Sequence, residues 1–70
     1  MKVWTIKASG YLGAGMAIVA ADDVELAVSL AGKIPPSTWN IEWGKPDECR
    51  ALEANANGPA RVLDYFEYGE

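Results

Sequence analysis

Residues Ser9–Asp23 read SGYLGAGMAIVAADD, and the reading of this stretch decides the fold. Gly10, Gly13 and Gly15 precede the apolar run Met16–Ala21, and Asp22 and Asp23 follow it. Glycines leading into a helix would cradle a phosphate, whereas glycines between two strands would bend a hairpin. A dinucleotide fingerprint runs G-x-G-x-x-G from a strand into a helix. Here the order is G-x-x-G-x-G, and MAIVAA, with two β-branched residues at its centre, suits a central strand covered on at least one face, although periodicity alone does not exclude a buried helix. No Lys followed by Ser or Thr stands after the glycines, so a P-loop is absent as well. The stretch therefore divides into a hairpin bend, a strand and a helix start. The expected role of the glycines is a positive φ or a bulge in the bend.

The flanks extend this pattern. Lys2–Ala8, KVWTIKA, alternates with Trp4, Ile6 and Ala8 on one face, which predicts a first strand. Asp22 reads as a helix N-cap with Glu25 completing a capping box, and the predicted helix covers about 22–34. Val24, Ala27, Val28, Leu30, Ala31 and Ile34 form its apolar stripe, and Pro35-Pro36 ends it. Thr38–Trp43 alternates Trp39, Ile41 and Trp43 against Thr38, Asn40 and Glu42, which predicts a third strand. Gly44-Lys45-Pro46 breaks that strand. Acids at the start of Asp47–Ala56, with Cys49, Leu52 and Ala56 at helical spacing, predict a short second helix over about 47–56. Asn57-Gly58-Pro59 serves as its stop, or as a turn if the helix is absent, and Arg61–Tyr68, RVLDYFEY, reads as a last strand. The expected fold is one small α+β domain over residues 1–70. It has a mixed, mainly antiparallel sheet of three to four strands, a right-handed crossover, and one main helix on a single face.

Composition narrows the functions. Ten carboxylates against six cations give a net charge of −4, with no histidine. Such a chain has no counterion-release drive toward nucleic acid, so no direct nucleic-acid binding is expected. Acidity serves solubility and also suits a basic protein partner. The single Cys49 excludes an intramolecular disulfide. No leader and no apolar run long enough to span a bilayer is read, so a cytoplasmic setting without membrane contact is the expectation. Without histidine, neither an ordinary zinc site nor a Ser–His or Cys–His couple can be assembled. Asp22-Asp23 and Asp47-Glu48 each sit at a predicted helix start, where capping explains them. Cys49 lies on the apolar face of the predicted short helix and reads as an inert thiol. The residues point to no enzyme, no cofactor and no metal.

What is left is surface. In the last strand, Arg61, Leu63, Tyr65 and Glu67 would share one face and Val62, Asp64, Phe66 and Tyr68 the other. Each face then carries an aromatic ring and a carboxylate, the mixture found at contact sites. Tyr11 at the hairpin tip, Trp43, Asp64, Tyr65, Glu67 and Tyr68 are the candidate interaction residues. Core remains the favoured place for Trp39 and Trp43. The reading is a non-enzymatic protein-interaction module that could pair with a second copy of itself. The alternatives are a small-molecule-binding or sensor domain using the Gly10–Gly15 loop, and a structural accessory subunit.

GAGMAIVAADDVELAVSLA, following a short strand with a Trp, resembles the strand-helix block of many small phage- and prophage-encoded proteins. The resemblance covers about half of the chain and carries no functional motif with it. Some small acidic proteins of that layout inhibit host machinery, so the resemblance implies an accessory or inhibitor that binds a host protein.

Overall fold

Four strands and one helix follow one another as β1 (Lys2–Ser9), β2 (Gly13–Ala21), α1 (Val24–Ala31), β3 (Glu48–Asn55) and β4 (Arg61–Gly69). This is the order in a computed structural model that describes residues 1–35 and 39–69. The strands form one sheet in the order β3-β1-β2-β4, and every neighbouring pair is antiparallel rather than mixed. β2 and β3 run in the same direction with β1 between them, so the strand-helix-strand unit skips one strand.

The hairpin between β1 and β2 is tight: Ser9 pairs with Ala14, and Gly10 N–H donates to the Gly13 carbonyl at 2.9 Å. Tyr11 and Leu12 form its tip. The expected positive φ is not there, since Gly58 is the only described glycine in that region. The hairpin glycines serve close approach instead. A Cβ on Gly10 would collide with the Trp39 carbonyl, one on Gly13 would lie 3.0 Å from the Trp39 side chain, and one on Gly15 2.7 Å from Trp43 Cη2. Gly69, opposite Gly13 in β4, likewise leaves room for the Trp39 ring. The glycines thus build a floor on which two tryptophans lie.

Those tryptophans belong to the segment expected to be a third strand, which it is not. Residues 39–43 form an irregular path and Thr38 lies outside the described residues. Asn40 adopts φ 50°, a left-handed conformation that asparagine tolerates and that breaks any extended run. The alternation still places the right side chains inward: Ile41 and Trp43 are buried and Trp39 is half-buried. The segment is tied down by Tyr11 N–H to the Trp39 carbonyl at 3.1 Å and Glu42 N–H to the Ser9 carbonyl at 3.2 Å.

The helix starts one residue later than expected. Asp23, with extended backbone, is the N-cap, and its Oδ1 accepts from Leu26 N–H at 2.8 Å. Asp22 therefore does not cap, and Glu25 does not occupy the capping-box position. The regular helix stops at Ala31, short of the expected Ile34. Two turns continue the chain, with Lys33 N–H donating to Leu30 and Ile34 N–H to Ala31. Ala27, Ala31 and Ile34 are buried against the sheet, while Val24 stays exposed. The core beneath is thin, and Ile6 and Val19 are its largest fully buried side chains. Alanines on both helix and sheet allow the two layers to approach closely.

The expected second helix over 47–56 is instead the edge strand β3. Lys7, Thr5 and Val3 of β1 pair with Glu48, Arg50 and Leu52. Helix propensity amounts to a few tenths of a kcal/mol per residue, and pairing with an open strand edge outweighs it.

Candidate functional site

Helix α1 and the 39–43 segment cover one face of the sheet, which leaves the other face to be read from the register. Its rows run from edge to edge. Glu48, Lys7, Met16 and Phe66 form one, and Arg50, Thr5, Ile18 and Asp64 the next. Leu52, Val3, Ala20 and Arg61 form a third, and Ser9, Ala14 and Tyr68 lie toward the hairpin. The face is therefore divided. Its β3 side carries Glu48 within 4.0 Å of Arg50 and 3.9 Å of Lys7, both exposed pairs of little energetic weight. Its β4 side carries stacked aromatic rings beside Met16.

A register shift in β4 decides which residues share this face. The pairing slips between Ile18 and Val19, so Leu63 becomes an extra residue in the strand. Val62 then sits opposite Val19 and packs against the core, on the same side as Tyr65 and Glu67. Asp64, Phe66 and Tyr68 remain together on the open side. Phe66 and Tyr68 are 54% and 60% exposed, and their rings stack with centroids 6.4 Å apart. Beside them, a groove of ≈ 420 Å³ is lined by Lys7, Met16, Asp47, Phe66 and Tyr68 among others. A second groove of ≈ 390 Å³ lies between the hairpin tip and Tyr68, lined by Tyr11, Leu12, Ala14 and Gly69. Tyr68 borders both.

The residues singled out in the sequence separate accordingly. Tyr11 stands free at the tip, 84% exposed. Trp43 is 2% exposed and so belongs to the core, with its ring edge-on to Tyr65 at 6.1 Å. Glu67 is half-buried on that same covered side, opposite Gly15. Glu67 Oε1 and Trp43 Nε1 are both buried without a hydrogen-bond partner among the described residues. Asp64 Oδ1 accepts from the Tyr65 N–H at 2.8 Å. Asp64 and Tyr68 thus share the open face, whereas Tyr65, Glu67 and Trp43 share the covered one.

Sequence reasoning missed Phe66, Met16 and Ile18 as members of the surface. The available signal was that MAIVAA is apolar at every position, which gives its strand two apolar faces when one small helix can cover only one.

The other chemistry is sparse. Cys49 sits opposite Ile6 on the covered side, half-buried, and desolvation pushes its thiol pKa up. Among the described residues, no three His, Cys, Asp or Glu side chains gather as a metal site requires. No described helix is long and apolar enough to cross a membrane. Comparison of the chain with protein-family models, curated proteins and solved structures found no match.

Proposed function

We propose that this protein is a non-enzymatic interaction module whose contact surface is the uncovered sheet face around Phe66 and Tyr68. One observation carries the reading: two stacked rings, each more than half exposed, stand beside Met16 and border two adjoining grooves. Exposed aromatics next to a flexible thioether are energetically productive contact residues, and isolation of such a patch in water is unfavourable. Lys7, Glu48 and Arg50 on the β3 side supply the polar rim that orients a partner. Within this reading a host protein bound by a phage-type accessory or inhibitor is one such partner. The protein would act by occupying a surface, without chemistry of its own.

The test is capture of a partner by the wild type, followed by rebinding of that partner in purified form. The double variant Phe66→Ala/Tyr68→Ala is expected to bind at least about tenfold more weakly, as loss of two contact aromatics implies. Leu26→Ala, on the helix side, should bind as the wild type does. Equal binding by the double variant, or loss of binding in the helix variant alone, refutes the assignment.

A further inference from the structure

The two edges of the sheet differ in character. Each carries three charged residues, Glu48, Arg50 and Glu53 on β3 and Arg61, Asp64 and Glu67 on β4, but only β4 adds aromatic rings, Tyr65, Phe66 and Tyr68. We infer that β4 pairs with β4 of a second copy of this chain, antiparallel, about a two-fold axis at Phe66. The argument is the self-complementarity of Asp64–Tyr68. Paired with itself in that register, the segment sets Phe66 against Phe66, each Asp64 against Tyr68 of the second copy, and each Glu67 against Tyr65 of the second copy. Every carboxylate of the segment meets a phenol donor, and no two carboxylates face each other.

Two details of the single chain fit this occupant. Glu67 has a buried carboxylate oxygen lacking a hydrogen-bond partner among the described residues, and the pairing brings a hydroxyl-bearing side chain opposite it. The Tyr65 N–H is held by Asp64 Oδ1 at 2.8 Å. A strand carbonyl from the second copy would take over that N–H and release the Asp64 carboxylate to the facing Tyr68. The result is an eight-stranded sheet with the aromatic halves of both open faces meeting at its centre. The two β3 strands then form the outer edges of that sheet. The seam runs along the edge of β4, and Phe66 and Tyr68, which flank it, also belong to the face proposed for the hetero-partner.

Disulfide trapping tests the register. In a Cys49→Ser background, Phe66→Cys places two thiols directly opposite each other, with Cα atoms about 4.5–5.5 Å apart, inside the range that a disulfide spans. Under mild oxidation it should form covalent dimers at least about tenfold faster than Glu53→Cys on the other edge. Asp64→Cys and Tyr68→Cys should cross-link mainly when mixed with each other. Sedimentation of the unmodified chain should show a species of twice the 7.5 kDa chain mass that grows with concentration. A concentration-independent monomer overturns the inference. So does trapping that is no faster at Phe66→Cys than at Glu53→Cys, or a dimer that cross-links through β3. Circular dichroism of each variant, matched to the parent, establishes that the comparison is between folded chains.

Discussion

Gly15→Ala adds one methyl group to the glycine floor directly beneath Trp43. Its Cβ would stand 2.7 Å from Trp43 Cη2 and 2.7 Å from the Phe66 carbonyl oxygen, against an ordinary separation of about 3.5–4 Å. Neither neighbour can retreat easily. Trp43 is enclosed in the core, and the Phe66 carbonyl belongs to the strand paired with β2 at Met16. Overpacking of this kind costs about 1–3 kcal/mol, partly offset by about 0.4–1 kcal/mol from the stiffer unfolded chain. The net expectation is a loss of about 1–2 kcal/mol, or a fall in Tm of roughly 4–16 °C for a domain of this size. Gly32→Ala is the internal control. Gly32 has φ −61°, and a Cβ there would meet nothing closer than 3.4 Å, so the same mutation should stabilise by about 0.4–1 kcal/mol. Urea unfolding followed by tryptophan fluorescence reads both. A Gly15→Ala protein as stable as the wild type, with an unchanged m value, refutes the view that these glycines exist to seat the tryptophans.

Three further outcomes follow from the same structure. Asp23→Ala should lose about 1 kcal/mol through the missing cap bond to Leu26, whereas Asp22→Ala should stay within about 0.5 kcal/mol; thermal unfolding of the pair decides which aspartate caps. Ala51→Val, on the exposed strand β3 opposite Trp4, should stabilise by up to about 1 kcal/mol because Val favours strands. In a helix the same change would destabilise by several tenths of a kcal/mol, so the sign measured by chemical unfolding identifies the element. Cys49, with its pKa raised by burial, should react with an aromatic disulfide more slowly in the folded chain at pH 8 than in urea. The linked stability is complete below the unfolded thiol pKa of about 8.5 and is lost as pH rises through the higher folded value.

Most of the fold is legible in the sequence because its signals are local. Alternation in KVWTIKA, the β-branched centre of MAIVAA, an aspartate ahead of a helical stripe, and the β-formers of RVLDYFEY each name their element. The two segments that differ depend on distant partners. ECRALEAN has the composition of a helix, and only the open edge of β1, more than forty residues away in sequence, makes it a strand. Trp39, Ile41 and Trp43 alternate because each must reach the sheet, yet Asn40 turns the chain and no ladder forms. The surface was half legible. Tyr68 and Asp64 were within reach, but the extra residue at Leu63 reassigns Val62 to the core side and leaves Phe66 in the open patch. A one-residue slip of this kind leaves no composition signal.

Hydroxyl-radical footprinting, with and without the captured partner, tests the proposed contact face most directly. In the free protein, Tyr11, Phe66 and Tyr68 should be oxidised readily and Trp43 slowly, following their exposures of 84, 54, 60 and 2%. On binding, Met16, Phe66 and Tyr68 should become protected while Leu26 on the helix is labelled as before. Undiminished labelling of Phe66 and Tyr68 in the complex, with protection confined to the helix side, would contradict the assignment of the open sheet face as the contact surface.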